Sequence, residues 1–255
     1  MSEFLLTASQ IKKNFDNFQK LIEISFPTRK EALLKMYEDL GEERVALAPA
    51  SSFDFFHNAV PGGYIDHVLR VHEYALKNYE LWESCGLLVN CFSVEELQFA
   101  ALHHDLGKLG LPGAGREHYV FNNSKWHREN QGKMYMSNPN VPNMPITDKG
   151  FYLLNHYQIP VTENEWIGIR CTDGMYEETN KEYLAGFNLD KKLRNSLPYI
   201  LHHSDIMAFR FEFERWSITS KKFTFSGIQK MSSQVKIEEK DKKVVNNLFD
   251  EMFGS

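Results

Sequence analysis

The segment Ala101-Leu-His-His-Asp-Leu-Gly-Lys108, taken with His67 upstream and Asp205 downstream, sets two imidazoles and two carboxylates into a chain otherwise written as amphipathic helices. Imidazole nitrogen and carboxylate oxygen together suit Mn, Fe, Co, Ni or Zn, with Mg also admissible. A site that uses only four protein ligands leaves positions for water and a phosphate oxygen, which is hydrolase chemistry. For His67, His104, Asp105 and Asp205 to meet at one ion, three helices far apart in the sequence must converge. With amphipathic helical patterns throughout and alternating strand patterns scarce, the expected fold is all-α, a helical bundle.

The local pattern supports those helices. Ser93-Val-Glu-Glu96 has the spacing of a capping box, so a helix is expected to start at Val94. On it Leu97, Ala100, Ala101 and His104 recur at i, i+3, i+4 and i+7, which sets His104 on the core-facing stripe behind two small alanines. Asp105 lies about 100° further round and can reach the same ion. After Gly63, Ile65, Leu69, His72 and Leu76 form one stripe, while His67, Val71 and Tyr74 form a second. Pro198 opens a third helix on which His202, Asp205 and Phe209 share a face. His72, a single histidine on an apolar stripe, reads as a hydrogen-bonded core residue. Asp205 is harder to assign to packing, because a buried carboxylate needs a partner or a metal.

With His67, His104-Asp105 and Asp205 in this order, the chain resembles the HD-domain metal-dependent phosphohydrolases. Pro61-Gly-Gly-Tyr-Ile-Asp-His67, the Leu-Gly-Lys after Asp105, and Asp205 in a late apolar helix carry the likeness over residues 48–215. The resemblance implies a divalent metal held by His67, His104, Asp105 and Asp205. It also implies nucleoside mono- or triphosphates as substrate, hydrolysed by metal-activated water. Asp105, Lys108 and His127 are then the candidate catalytic residues, with Asp66 an alternative acid to His127. The lead-in from Ala48 through His57 to Gly63 is similar to the segment before the first ligand in HD-type exoribonucleases. A phosphodiesterase or 3'-5' exonuclease is therefore the alternative expectation. In two-metal members further histidines come from intermediate segments, which makes His103, His127, His156 and His202 candidates for a second ion or for substrate. Thr172-Asp173-Gly174 stands where related sequences are expected to carry His-Asp-Gly, so a mononuclear centre is preferred.

The domain reading has three parts: an N-terminal helical cover over 1–47, a catalytic core over 48–216, and a polar linker with a terminal amphipathic peptide over 217–255. Two helices are expected between Ser9 and Leu40, the second capped by Thr28 and ended by Gly41. Residues 111–147, rich in Gly, Pro and Asn, read as a substrate-facing irregular loop with a short helix from Lys125 to Tyr135. Lys108 just before it and Arg116, Lys125 and Arg128 within it are candidate phosphate-binding cations, and Tyr119, Phe121 and Trp126 candidate base-stacking rings.

No apolar run approaches the roughly 20 residues that span a bilayer, and no signal-peptide pattern is visible. The three cysteines, Cys85, Cys91 and Cys171, form no CxxC pair and fit a reducing compartment, so a cytoplasmic location is expected. A net charge of -5 argues against an extended nucleic-acid footprint. The final residues resemble the sliding-clamp-binding tails of T4-like phage proteins, with Leu248, Phe249, Met252 and Phe253 as the contacts. That likeness implies a phage protein acting in host cytoplasm. The alternative is an amphipathic helix docked on its own domain.

Overall fold

In the computed structural model, which describes residues 6–220 apart from Leu88 and Phe187, three capping boxes start three of the helices. Thr7 with Gln10, Ser93 with Glu96, and Thr162 with Glu165 each exchange side-chain and backbone hydrogen bonds, satisfying N–H groups that the first helical turn leaves open. The α-helices are α1 (Ala8–Ser25), α2 (Lys30–Leu40), α3 (Glu42–Leu47), α4 (Gly63–Ser84), α5 (Val94–His103), α6 (Lys125–Gln131), α7 (Ile146–His156), α8 (Glu163–Cys171), α9 (Lys181–Leu184) and α10 (Leu197–Ser220). Two short antiparallel strands, β1 (Tyr119–Phe121) and β2 (Tyr135–Ser137), pair Phe121 with Tyr135. The fold is all-α, 63% helical.

Helix α4 runs through the middle, packed against α5 and α10. Its Val68, Val71 and Ala75 join Leu97, Ala100 and Ala101 of α5 and Ile200, Leu201 and Ala208 of α10 in one buried cluster. Phe18 and Ile22 of α1 and Leu33, Met36 and Leu40 of α2 belong to the same cluster, so residues 1–47 supply part of this core. Each fully buried Leu, Ile or Phe contributes roughly 1.5–3 kcal/mol, which makes the α4 surroundings a rigid frame for any side chain they carry.

Two local expectations need correction. Arg29, not Thr28, holds the N-cap position of α2 and makes no side-chain cap bond. Its guanidinium turns inward instead, 3.9 Å above the Phe99 ring and 2.8 Å from the buried carboxylate of Glu165. The helix from Lys125 ends at Gln131, short of Tyr135, because Gly132 adopts a left-handed φ of 67° and a Cβ there would lie 2.1 Å from Asp54 Oδ1. Residues 111–147 thus hold a helix and a β-ribbon. Gly41 ends α2 as expected, with φ 96°. Among the described residues no helix is long and apolar enough to cross a membrane.

Candidate metal centre

Helix α5 delivers the centre by ending. Its regular bonds stop at His103, His104 holds the C-cap position, and the chain tightens into a 3-10 turn over Leu106–Leu109. That tightening sets Asp105 and Lys108 on one turn, with Lys108 Nζ 2.6 Å from Asp105 Oδ2. Gly107 inside the turn lets α7 approach: a Cβ there would sit 2.0 Å from Ile146 O. His67 comes from α4 and Asp205 from α10.

The structure brings together the four residues of the signature. His67 Nε2 lies 3.6 Å from Asp105 Oδ2 and 3.2 Å from Asp205 Oδ1. His104 Nε2 lies 3.4 Å and 3.8 Å from the same two oxygens. Donor atoms of His67, His104 and Asp205 all fall within 4.8 Å of one another. The far side of each ring is already committed. His104 Nδ1–H donates to Ala101 O at 2.9 Å, and His67 Nδ1–H faces Glu212 at 3.2 Å. Both Nε2 atoms are buried, make no aligned hydrogen bond and face the carboxylates. Orphaned imidazole nitrogens converging with carboxylate oxygens fit a divalent transition metal by number and by chemistry.

The electrostatics are those of a cluster that attracts cations. Burial alone would lower His67, but Glu212 and Asp205 override it and push the imidazole up to about 10. His104 is raised in the same way, against burial, by Asp105 and Asp205. Burial would raise Asp105, yet Lys108, His104 and His67 hold it well below the ordinary carboxylate range. Asp205 is also held low, against burial, chiefly by His67.

A second layer fixes the first. Glu212, 2% exposed, contacts His67 Nδ1 with both oxygens and is held by Arg70 at 2.5 Å. Asp66, proposed from the sequence as a general acid, serves here: it accepts from Arg70 at 3.0 Å, Arg215 at 3.2 Å and Asn58 at 2.7 Å. Those partners hold its carboxyl low against burial, so it stays ionised.

The histidines named for a second ion have other contacts. His103 is fully buried in the core, stacked 4.2 Å from the Phe99 ring with Nδ1–H donating to Phe99 O. His127 packs its ring against Trp126 on α6, and His156 stacks on Tyr152 at the exposed end of α7. His202 Nδ1–H donates to Thr172 O at 2.6 Å. Among the described residues, none of the four belongs to a group of three donors. The cations divide similarly. Lys108 stands at the centre, whereas Arg116 donates to Pro112 O, Lys125 faces Glu129 at 3.7 Å, and Arg128 bonds Asn122 O and covers the Phe121 ring. The last three brace the 111–147 segment itself.

Sequence reasoning passed over Glu212, His57 and Lys149. Glu212 had a signal: it lies seven residues after Asp205, hence on the same helical face, as a carboxylate among apolar neighbours. His57 Nε2 lies 3.2 Å from Lys108 Nζ. Lys149, 1% exposed on α7, reaches His118 Nδ1 at 3.0 Å. Burial, then Lys149 and Lys108, push His118 down to about 4. Only the approach of α7 to the Gly107 turn makes that pair visible. Comparison with protein-family models, characterised proteins and solved structures gives no match.

Proposed function

We propose that this chain is a metal-dependent phosphohydrolase acting on nucleotides, either nucleoside mono- or triphosphates. The observation that supports it is the pair of buried, unpartnered Nε2 atoms of His67 and His104, facing the Asp105 and Asp205 carboxylates. A divalent ion of the Mn, Co, Ni, Fe, Zn or Mg class, held by these four residues, would supply Lewis acidity toward water and a phosphoryl oxygen. Around it the chain's own groups have defined tasks. Glu212 keeps the Nδ1 proton on His67 and so directs Nε2 inward. Lys108 carries a full positive charge beside Asp105, where it offsets negative charge developing on phosphoryl oxygens. Asp205 is the more exposed of the two carboxylates and marks the open side of the centre. The nucleotide class itself rests on the HD-domain resemblance.

A phosphodiesterase or 3'-5' exonuclease is the second reading. Its support is a set of exposed rings, Phe55, Phe56, Phe121 and Trp126, with Arg128 4.8 Å from the Phe121 centroid and Lys133 5.9 Å from that of Phe53.

Metal-free protein incubated with Mn, Co, Ni, Mg or Zn against nucleoside mono- and triphosphates, cyclic nucleotides and single-stranded oligonucleotides separates the two. Phosphate or pyrophosphate release that Asp105→Ala abolishes supports the first reading, and oligonucleotide shortening supports the second. Absence of metal-dependent turnover across the panel overturns both.

The clamp contacts Leu248, Phe249, Met252 and Phe253 lie outside the described residues. A phage-encoded hydrolase working in host cytoplasm beside a replisome is the partner proposal. Loss of clamp binding on deletion of residues 243–255 tests it.

A further inference from the structure

The four signature residues do not exhaust the donors at the centre. A donor atom of His57 lies within 4.8 Å of donor atoms of both His67 and Asp105, the same separation that joins His67, His104 and Asp205. His67 belongs to both triads. Its Nδ1 is engaged by Glu212, which leaves the single lone pair of Nε2, and one lone pair serves one ion. Two separate ions would leave one of them with two protein donors, which favours a single ion at the nitrogen the two triads share. Resting on the metal-centre reading above, we propose that His57 is a fifth protein ligand, completing a mononuclear centre of three imidazoles and two carboxylates.

The surroundings of His57 favour a ligand over a packing residue. A cation is already seated beside it: Lys108 Nζ is 2.6 Å from Asp105 Oδ2 and 3.2 Å from His57 Nε2. The lone pair that accepts from Lys108 is the one an ion would take, and Lys108 keeps its proton and its contact with Asp105. The other nitrogen, Nδ1, is buried without a partner, so no protein carbonyl or carboxylate accounts for the ring's position. The ring lies 4.9 Å from that of His67 and meets the edge of Phe209 at 5.5 Å.

The backbone holds it there. Asn58, the next residue, adopts a left-handed φ of 44°, its carbonyl accepts from Ala50 N at 3.1 Å, and its side chain donates to Asp66 at 2.7 Å. A Cβ on Gly63 would lie 2.0 Å from Asn58 O, so this segment rests directly on the first turn of α4, the helix that carries His67. An uncommon backbone conformation retained beside a potential donor is strain of the kind found where position matters.

The test is Co(II) titration of the metal-free full-length chain, read by calorimetry and visible absorption, on wild type, His57→Ala, His57→Gln, His104→Ala and Lys108→Ala. Thermal melts confirm that each variant folds. A fifth ligand at His57 predicts that both His57 variants bind Co(II) about tenfold or more weakly with an altered spectrum. Lys108→Ala should bind at least as tightly as wild type, because a competing ammonium is gone. Unchanged affinity and spectrum in both His57 variants, with binding lost in His104→Ala, would overturn the ligand role and leave the four-residue centre standing. Failure of wild type to bind Co(II), or full binding by His104→Ala, would overturn the metal centre itself.

Discussion

Glu212 holds His67 from behind: both of its carboxylate oxygens lie 3.2 Å from His67 Nδ1, while Nε2 of the same ring faces Asp105 and Asp205. A carboxylate on the rear nitrogen fixes the tautomer, keeps the ring from turning and raises the basicity of the front nitrogen. Arg70 neutralises Glu212, so this buried carboxylate has two partners.

Glu212→Gln should retain the fold and weaken divalent-metal affinity by about 10- to 100-fold, since an amide can accept from Nδ1–H but supplies no charge. Glu212→Ala should also destabilise the chain by about 3–5 kcal/mol, because Arg70 and His67 lose a buried partner. Calorimetric metal titration with urea unfolding measures both. Glu212→Gln binding metal as wild type does would refute the positioning role.

Lys108→Ala should lower kcat by about 10²- to 10³-fold on the best nucleotide while leaving metal binding intact. Steady-state phosphate release at saturating metal reads it. A change in KM alone would mean that Lys108 aids only ground-state binding.

Gly107→Ala should cost stability, by about 1–3 kcal/mol or more, because the new methyl group would meet the Ile146 carbonyl at 2.0 Å and the Lys149 Cβ at 3.0 Å. Those neighbours are the α7 backbone and the root of a buried side chain, so relief requires α7 to shift. An unchanged urea midpoint would show that the contact between α7 and this turn is looser than described.

Acid stability has a defined contributor in His103. Burial is the main cause that pushes its imidazole from 6.5 down to about 3. The unfolded chain therefore takes up a proton below about pH 6.5 that the folded chain refuses until about pH 3, and folding stability falls as pH drops through that window. His103→Leu removes this contribution and flattens the dependence by up to about 1.4 kcal/mol per pH unit. His72, pushed down to about 4 by burial, sustains part of the remaining slope. Urea midpoints at pH 7, 6 and 5 for both proteins would expose parallel slopes if His103 carries no part of it.

The chain order of capping residues and apolar stripes determined the helices. Ser93 and Glu96 start α5, Thr162 and Glu165 start α8, and the spacing of Leu97, Ala100, Ala101 and His104 turns a ligand inward, because capping and helical periodicity act within a few residues. The meeting of His67, His104-Asp105 and Asp205 was legible through the HD-domain signature their order resembles; a carboxylate buried in an apolar helix calls for a partner without naming it. Contacts between distant segments were not legible. Only the packed fold seats Glu212 behind His67, brings His57 and Lys108 together, joins Lys149 to His118, and sends His103 into the core away from its neighbour His104. Adjacent residues on a helix point about 100° apart, so which histidine meets the carboxylates depends on where α4 and α10 pack, and packing is a property of the whole chain.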